Sequence, residues 1–324
     1  MTLESRLAGK PKILFFTDAT AILFIFSDLQ KCHTAVWLHG DQCADSHSTN
    51  DFITDGYGMG YDKRRVLMDL ILEEKETFRD GFQKMVDSWH MPFPRVLQIL
   101  SENIKLDPGF KDFVIWAREN KVPVIVLSSG MYPVIETLLK LLLGDDLAAD
   151  LEIISNETRL LSPKNSLDET DGWTIKYHDD SGFGHDKSLT LRQYAKAIQQ
   201  LPEPDRPSML YAGDGVSDLS AARESDLLFA KEGQDLVTYC EREGIPFTTF
   251  KDWTDILSET KEIFSGQKSV KKVAEEGLTR VRTNSIELQR TQKPRRASSF
   301  DQAAADQELR RLRGGVAVED AIRE

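Results

Sequence analysis

The apolar positions of this 324-residue chain fall into short continuous runs separated by stretches of helical periodicity. Residues 11–18 are nearly all apolar and β-prone and end in Asp18, the pattern of a strand buried on both faces. Residues 122–131 repeat it and end in Ser128-Ser129-Gly130, and residues 209–212 end in Gly213-Asp214-Gly215. Shorter runs at 227–230 and 245–247 predict two further strands, while 151–154 and 173–177, split by a polar loop, predict a hairpin. Between the first and second runs, Phe78, Phe82, Met85, Val86 and Trp89 share one helical face, and Leu67, Leu70 and Ile71 share another. No strand signal interrupts residues 60–105. Further helices are predicted through Phe113 and Ala117, through Leu191 and Tyr194, and from Ser217 onward. Strands alternating with helices predict an α/β fold, a Rossmann-like parallel sheet with right-handed crossovers.

Charge separates the body from its end. The formal net charge is −12, yet residues 268–324 carry 13 basic and 9 acidic groups, a net +4 that leaves −16 for the rest. A body this acidic is not a nucleic-acid binder by bulk electrostatics. Past Phe264 the chain has one aromatic residue, Phe300, so 265–324 reads as a mostly disordered tail with some helix over 302–313. Within it, Arg295-Arg296-Ala297-Ser298 has the basic-then-serine pattern of kinase substrates. Three cysteines give no disulfide framework, no leader pattern opens the chain, and no apolar run is long enough to span a membrane. A soluble cytoplasmic protein is the expectation.

The candidate chemistry sits where the apolar runs end. Asp214 and Asp218 lie together at the carboxyl end of a strand, where open α/β sheets hold ligands, and paired carboxylates there suit a hard cation such as Mg²⁺. Asp18 is a candidate nucleophile, with Asp28 as a rival because residues 21–28 nearly repeat the preceding strand pattern. The Ser128 hydroxyl and the N–H groups of Ser129 and Gly130 suit phosphate oxygens. Lys187 follows Gly184-His185-Asp186 at a helix start; His185 is expected at the surface, and Arg79 on a solvated helix face rather than on substrate. Cys32, His33, His39, Cys43 and His47 cluster, but their spacing matches no usual structural zinc site.

These segments, in this order, resemble the haloacid dehalogenase-like hydrolases, phosphoserine phosphatase-like branch. The resemblance covers 11–18 and 50–262, and it places a phosphatase domain over 11–262 with a small helical cap over 51–105. It implies that Asp18 attacks phosphorus and that Ser128, Ser129, Gly130 and Lys187 hold the phosphoryl group. It also implies Mg²⁺ held by Asp18, Asp214 and the carbonyl of Thr20, with Asp218 in support. The family reads Asp-x-Asp-Gly-Thr at its first motif; here the acid/base position is Thr20, which has no titratable carboxylate. Residues 19–49 are accordingly expected to be foreign to the fold. The implied function is hydrolysis of a small phosphorylated metabolite through an aspartyl-phosphate. The alternative is an inactive protein of the same fold that binds a phosphate ligand or a protein partner.

Overall fold

A computed structural model describes residues 3–25, 48–277, 279 and 283. The chain divides into two units, Met1–Leu278 and Thr279–Glu324. Of the second unit, Thr279 and Thr283 are described, both helical, with Thr283 Oγ1 donating to the Thr279 carbonyl at 2.9 Å. The rival nucleophile Asp28, the cysteine–histidine cluster, the helix over 302–313 and Ser298 lie outside the described residues.

The first unit opens with α1 (Leu3–Ala8), β1 (Ile13–Thr17) and a short β2 (Leu23–Ile25). Four helices follow: α2 (Thr49–Tyr57), α3 (Tyr61–Leu72), α4 (Phe78–Asp87) and α5 (Phe93–Asn103). The chain then runs through β3 (Ile104–Leu106), α6 (Phe110–Glu119), β4 (Val124–Met131), α7 (Tyr132–Leu143) and α8 (Asp145–Ala148). Next come β5 (Leu151–Leu160), β6 (Trp173–Lys176), α9 (Lys187–Gln199) and β7 (Ser208–Gly213). The unit continues through β8 (Leu227–Lys231), α10 (Asp235–Glu243), β9 (Thr248–Phe250) and α11 (Trp253–Ser265).

Seven strands form one sheet in the order β6-β5-β4-β1-β7-β8-β9. All neighbours are parallel except β5 and β6. The apolar runs explain this: β1 and most of β4 are buried at every position, as strands covered by helices on both faces must be. The chain builds outward from β1 through β4, β5 and β6, then returns across β1 to start β7. That reversal puts the carboxyl ends of β4, β1 and β7 side by side at the topological switch point, where such sheets bind ligands. Beneath them, Phe15 packs edge-on to Phe113 at 4.7 Å, and Trp253 packs on both Phe113 and Phe110.

The cap is built as the periodicity predicts, with Phe82, Met85, Val86 and Trp89 all buried. It rests on the hairpin: the β6 residue Trp173 meets Phe93 at 5.0 Å and Trp89 at 6.3 Å. The hairpin is longer than its apolar core suggests. The first half of β5 pairs with β4 and its second half, Glu157 to Leu160, pairs with β6.

Several expectations change. Ile104–Leu106 is a strand rather than helix, pairing antiparallel with β2. That pair shows the start of the 19–49 stretch to be part of the fold: Ala19, Ala21, Ile22 and Leu23 are buried in the core. The Ala21 carbonyl accepts from Trp253 Nε1 at 2.6 Å and the Ile22 carbonyl from the Asp107 N–H at 2.7 Å. The last strand lies at Thr248–Phe250, not at 245–247, because Pro246 has no N–H for a ladder. The body also runs past Phe264: residues 270–277 are helical, and Val273 and Ala274 are buried. Gly277 permits the contact, since a Cβ there would lie 2.0 Å from the Phe247 carbonyl oxygen. No described helix is long and apolar enough to cross a membrane.

Candidate active site

Asp18 leaves β1 at the switch point, its N–H bonded to the Ala212 carbonyl of β7 at 2.9 Å. It is buried, and its Oδ1 accepts the Ala19 N–H at 2.7 Å. Its Oδ2 faces Lys187 Nζ at 3.1 Å, Thr20 Oγ1 at 2.9 Å and Ser217 Oγ at 3.3 Å. Burial opposes its charge, but the Lys187 ammonium and the hydrogen bonds from Lys187, Thr20 and Ser128 outweigh it and hold the carboxyl below its usual range. A carboxylate kept ionised in a dry site is what nucleophilic attack requires.

Lys187 is the first residue of α9, whose N-cap Asp186 accepts the Ser188 N–H. Its side chain is fully buried between Asp18 and Asp218, the latter at 2.6 Å. Burial would lower its pKa, yet Asp18 and Asp218 raise it above the ordinary value, so it stays charged. Asp218 is saturated: Oδ1 accepts from Lys187 and the Tyr211 hydroxyl, and Oδ2 from the N–H groups of Asp214 and Gly215 at 2.9 and 3.1 Å. With both oxygens each accepting two hydrogen bonds, Asp218 shapes the loop beside Asp18 and Asp214. Gly213 makes room, because a Cβ there would sit 2.5 Å from Asp218 Oδ2.

The same saturation explains why the helix expected from Ser217 is a single 3₁₀ turn, Val216–Asp218. Instead of capping a helix, the Ser217 hydroxyl points at Asp18 and accepts from Lys187 at 3.2 Å.

Asp214 is the other end of the charge balance. Burial first, then the carboxylates of Asp218 and Asp18, push its pKa up to about 7. Thr20 Oγ1 lies 2.6 Å from Asp214 Oδ1 and 2.9 Å from Asp18 Oδ2. A hydroxyl has one proton, so Thr20 can donate to only one of these two carboxylates at a time. Oxygens of Asp18, Asp214 and Asp218 lie within 4.8 Å of one another. Three carboxylates against one ammonium, two of them with oxygens free of backbone partners on the cavity side, form a donor set that fits a hard divalent cation.

Ser128, Ser129 and Gly130 end β4 beside this cluster and line a cavity of about 190 Å³ together with Asp18, Thr20 and Asp214. The Gly130 N–H donates to Ser128 Oγ at 3.1 Å. The structure thus brings together Asp18, Thr20, Ser128, Ser129, Gly130, Lys187, Asp214 and Asp218.

It does not bring in Arg79, which donates to the Asp179 carbonyl at 2.9 Å and stacks over Tyr177 at 4.5 Å. Nor is His185 at the surface: it is fully buried, with Nδ1 2.8 Å from the Ser128 carbonyl. Tyr211 and Ser217 escaped sequence reasoning, the first because a strand tyrosine reads as core.

The cap closes the cavity with Asp51, Tyr61, Arg64, Phe78, Phe82 and Met85. Arg64 is buried and spent internally: Nε and one terminal nitrogen bind Asp55 at 2.7 and 2.8 Å, and the other lies 3.1 Å from Asp51. The spacing of Asp51 and Asp55, four apart on one helix, was the available signal.

The family model for haloacid dehalogenase-like hydrolases matches residues 44–223, beginning after β1. The polyol phosphate phosphatase PYP1 of Saccharomyces cerevisiae is 46% identical over 70% of this chain and 92% of its own length. The Pdp3-interacting factor 1 of Schizosaccharomyces pombe is 44% identical over 75% of this chain and 96% of its own. A phosphoserine phosphatase captured as a phospho-aspartyl intermediate analogue superposes with a TM-score of 0.50 over 77% of this chain and 98% of its own, at 16% identity, a likeness of fold. The chain belongs to the haloacid dehalogenase-like hydrolases, and its relatives and fold are those of the family's phosphatases.

Proposed function

We propose that the protein hydrolyses a small, uncharged-tailed phosphomonoester, a polyol phosphate by its chemistry, in the cytoplasm. The observation that carries the reaction type is the buried Asp18 carboxylate held ionised by Lys187 at 3.1 Å. Asp18 attacks phosphorus, its oxygen bonding as the ester oxygen leaves and takes a proton from solvent water, and a second water then cleaves the aspartyl-phosphate to free Asp18 and inorganic phosphate. Lys187 relieves the repulsion between nucleophile and phosphate, while the Ser128 hydroxyl and the N–H groups of Ser129 and Gly130 receive the phosphoryl oxygens. Asp18, Asp214 and the Thr20 carbonyl would hold Mg²⁺, which when bound screens the phosphate oxyanions. Asp218 and Tyr211 keep the Asp214 loop in place.

The substrate class rests on the cap. Arg64 is committed to Asp55 and Asp51, and the partly exposed Arg65 lies 3.7 Å from Asp69, so among the described residues no buried cation is left unpaired on this wall. It offers hydroxyls and carboxylate oxygens, which suit a polyol, and the name of the 46%-identical yeast relative points the same way. The test is phosphate release from glycerol 1-phosphate and O-phosphoserine with and without Mg²⁺, beside Asp18→Asn. Mg²⁺-dependent release that favours the glycerol ester and vanishes in the variant is expected; equal or greater release from phosphoserine removes the substrate reading.

Thr20 favours a second reading, ligand binding without turnover, because it bridges Asp18 and Asp214 where the family has an acid/base carboxylate. Phosphate binding with no turnover of any ester would select it.

A further inference from the structure

Two carbonyls of the turn that ends β4 are gripped from behind. The Ser128 carbonyl accepts from His185 Nδ1 at 2.8 Å, and the Ser129 carbonyl accepts from Asn156 Nδ2 at 2.7 Å. Both side chains are completely buried, and neither lines the cavity above Asp18. Asn156 is itself fixed, its Oδ1 accepting the His178 N–H at 2.8 Å, and the His178 ring lies 4.4 Å from that of His185. The β4–β5 register shifts between Ser128 and Met131, so carbonyls here lose regular ladder partners and must find others.

The direction of the grip matters. Among the described residues no peptide is cis, and in a trans peptide a carbonyl and the following N–H point opposite ways. Holding these two carbonyls from outside the cavity turns the Ser129 and Gly130 N–H groups toward it. The Gly130 N–H does point that way, 3.1 Å from Ser128 Oγ, which lines the cavity.

We infer that His185 and Asn156 are positioning residues for the phosphoryl group, aiming the Ser129 and Gly130 N–H groups that receive its oxygens. The inference rests on the phosphatase reading and assigns it two residues that touch neither substrate nor nucleophile. Donors preset in this way need no rearrangement when phosphate arrives, whereas a turn free to rotate loses alignment and binds weakly.

The test uses the full chain with Mg²⁺ and reads the Kd of inorganic phosphate, the KM and kcat for p-nitrophenyl phosphate, and the melting temperature. His185→Leu and Asn156→Leu are expected to raise Kd and KM about tenfold or more, with a smaller change in kcat. His185→Asn, whose amide nitrogen stands near the place of Nδ1, is expected to return both to within about threefold of the unaltered chain. Leucine variants that lose only melting temperature and keep the original Kd overturn the inference. A measurement on the unaltered chain needs no variant to fold: phosphate should shift the Ser129 and Gly130 amide resonances, and unshifted amides overturn it too. Absence of both phosphate binding and turnover in the unaltered chain overturns the phosphatase reading and this inference together. Phosphate binding with Kd unmoved by the variants overturns the inference alone.

Discussion

The two walls of the cavity are built on opposite electrostatic plans. The sheet wall concentrates charge that does not cancel: three carboxylates around one ammonium, with Asp214 pushed up to about 7. The cap wall pairs its buried charge internally, binding Arg64 to Asp55 and Asp51. On the proposed reading, the uncancelled wall serves a cation and a phosphate and the paired one an uncharged tail. Reaction and selection are thereby assigned to different parts of the chain, and a change on one wall should leave the task of the other intact.

The largest expected effect lies on the sheet wall. Asp18→Asn removes the attacking oxygen and should lower kcat by about 10⁴-fold or more, with the fold and phosphate binding retained. Near-normal turnover, followed as phosphate release, would move the nucleophile elsewhere. Lys187→Met leaves Asp18 and Asp218 as buried carboxylates without their cation and should cost about 3–5 kcal/mol in a urea titration, besides abolishing activity.

His185 links the sheet wall to pH. Burial first, then the neighbouring charges of His178 and Lys187, depress its pKa to about 4, against a raising hydrogen bond to Ser128 and the Asp179 carboxylate. Its folded value lies below the unfolded one, so its contribution is full above about pH 6.5 and is lost as pH falls toward 4. The loss should be on the order of 3 kcal/mol, read as the difference in pH slope between the unaltered chain and His185→Asn in urea titrations at pH 7 and 4.5. Parallel slopes would show that the imidazole is not kept neutral.

The smallest effect tests the cap wall. Asp51→Asn frees part of the Arg64 charge, and the ratio of kcat/KM for O-phosphoserine over glycerol 1-phosphate should rise about tenfold with kcat little changed. An unchanged ratio would mean that the cap's charge balance does not select the substrate.

Much of this was legible from residue order. Continuous apolar runs ending in Asp18, Ser128 and Gly213 gave both the sheet and the sheet wall, because a buried strand must deliver its last residue to the same edge as its neighbours. The face through Phe82, Met85 and Trp89 likewise gave the cap. What stayed hidden depends on contacts between distant segments. Tyr211 is apolar by pattern and acquires its role only when Asp218 folds back upon it. Arg64 resembles any surface arginine until Asp51 and Asp55 reach it. Ala19 to Ile25 looked alien because the loop lacks the family's residues, yet its backbone carbonyls are held by Trp253 and Asp107, partners that no local pattern announces.

That last contact carries a consequence for the making of the protein. Ala21 and Trp253 are 232 positions apart, and the indole at the start of α11 holds the carbonyl three residues past Asp18. A chain emerging from the ribosome therefore presents Asp18 long before α11 is made, and lacks the clamp behind it until then. A chain clipped just ahead of α11 keeps Asp18, Lys187, Asp214 and Asp218 and still lacks the buttress. The loop behind Asp18 is thus clamped only once a helix made more than two hundred residues later has folded against it.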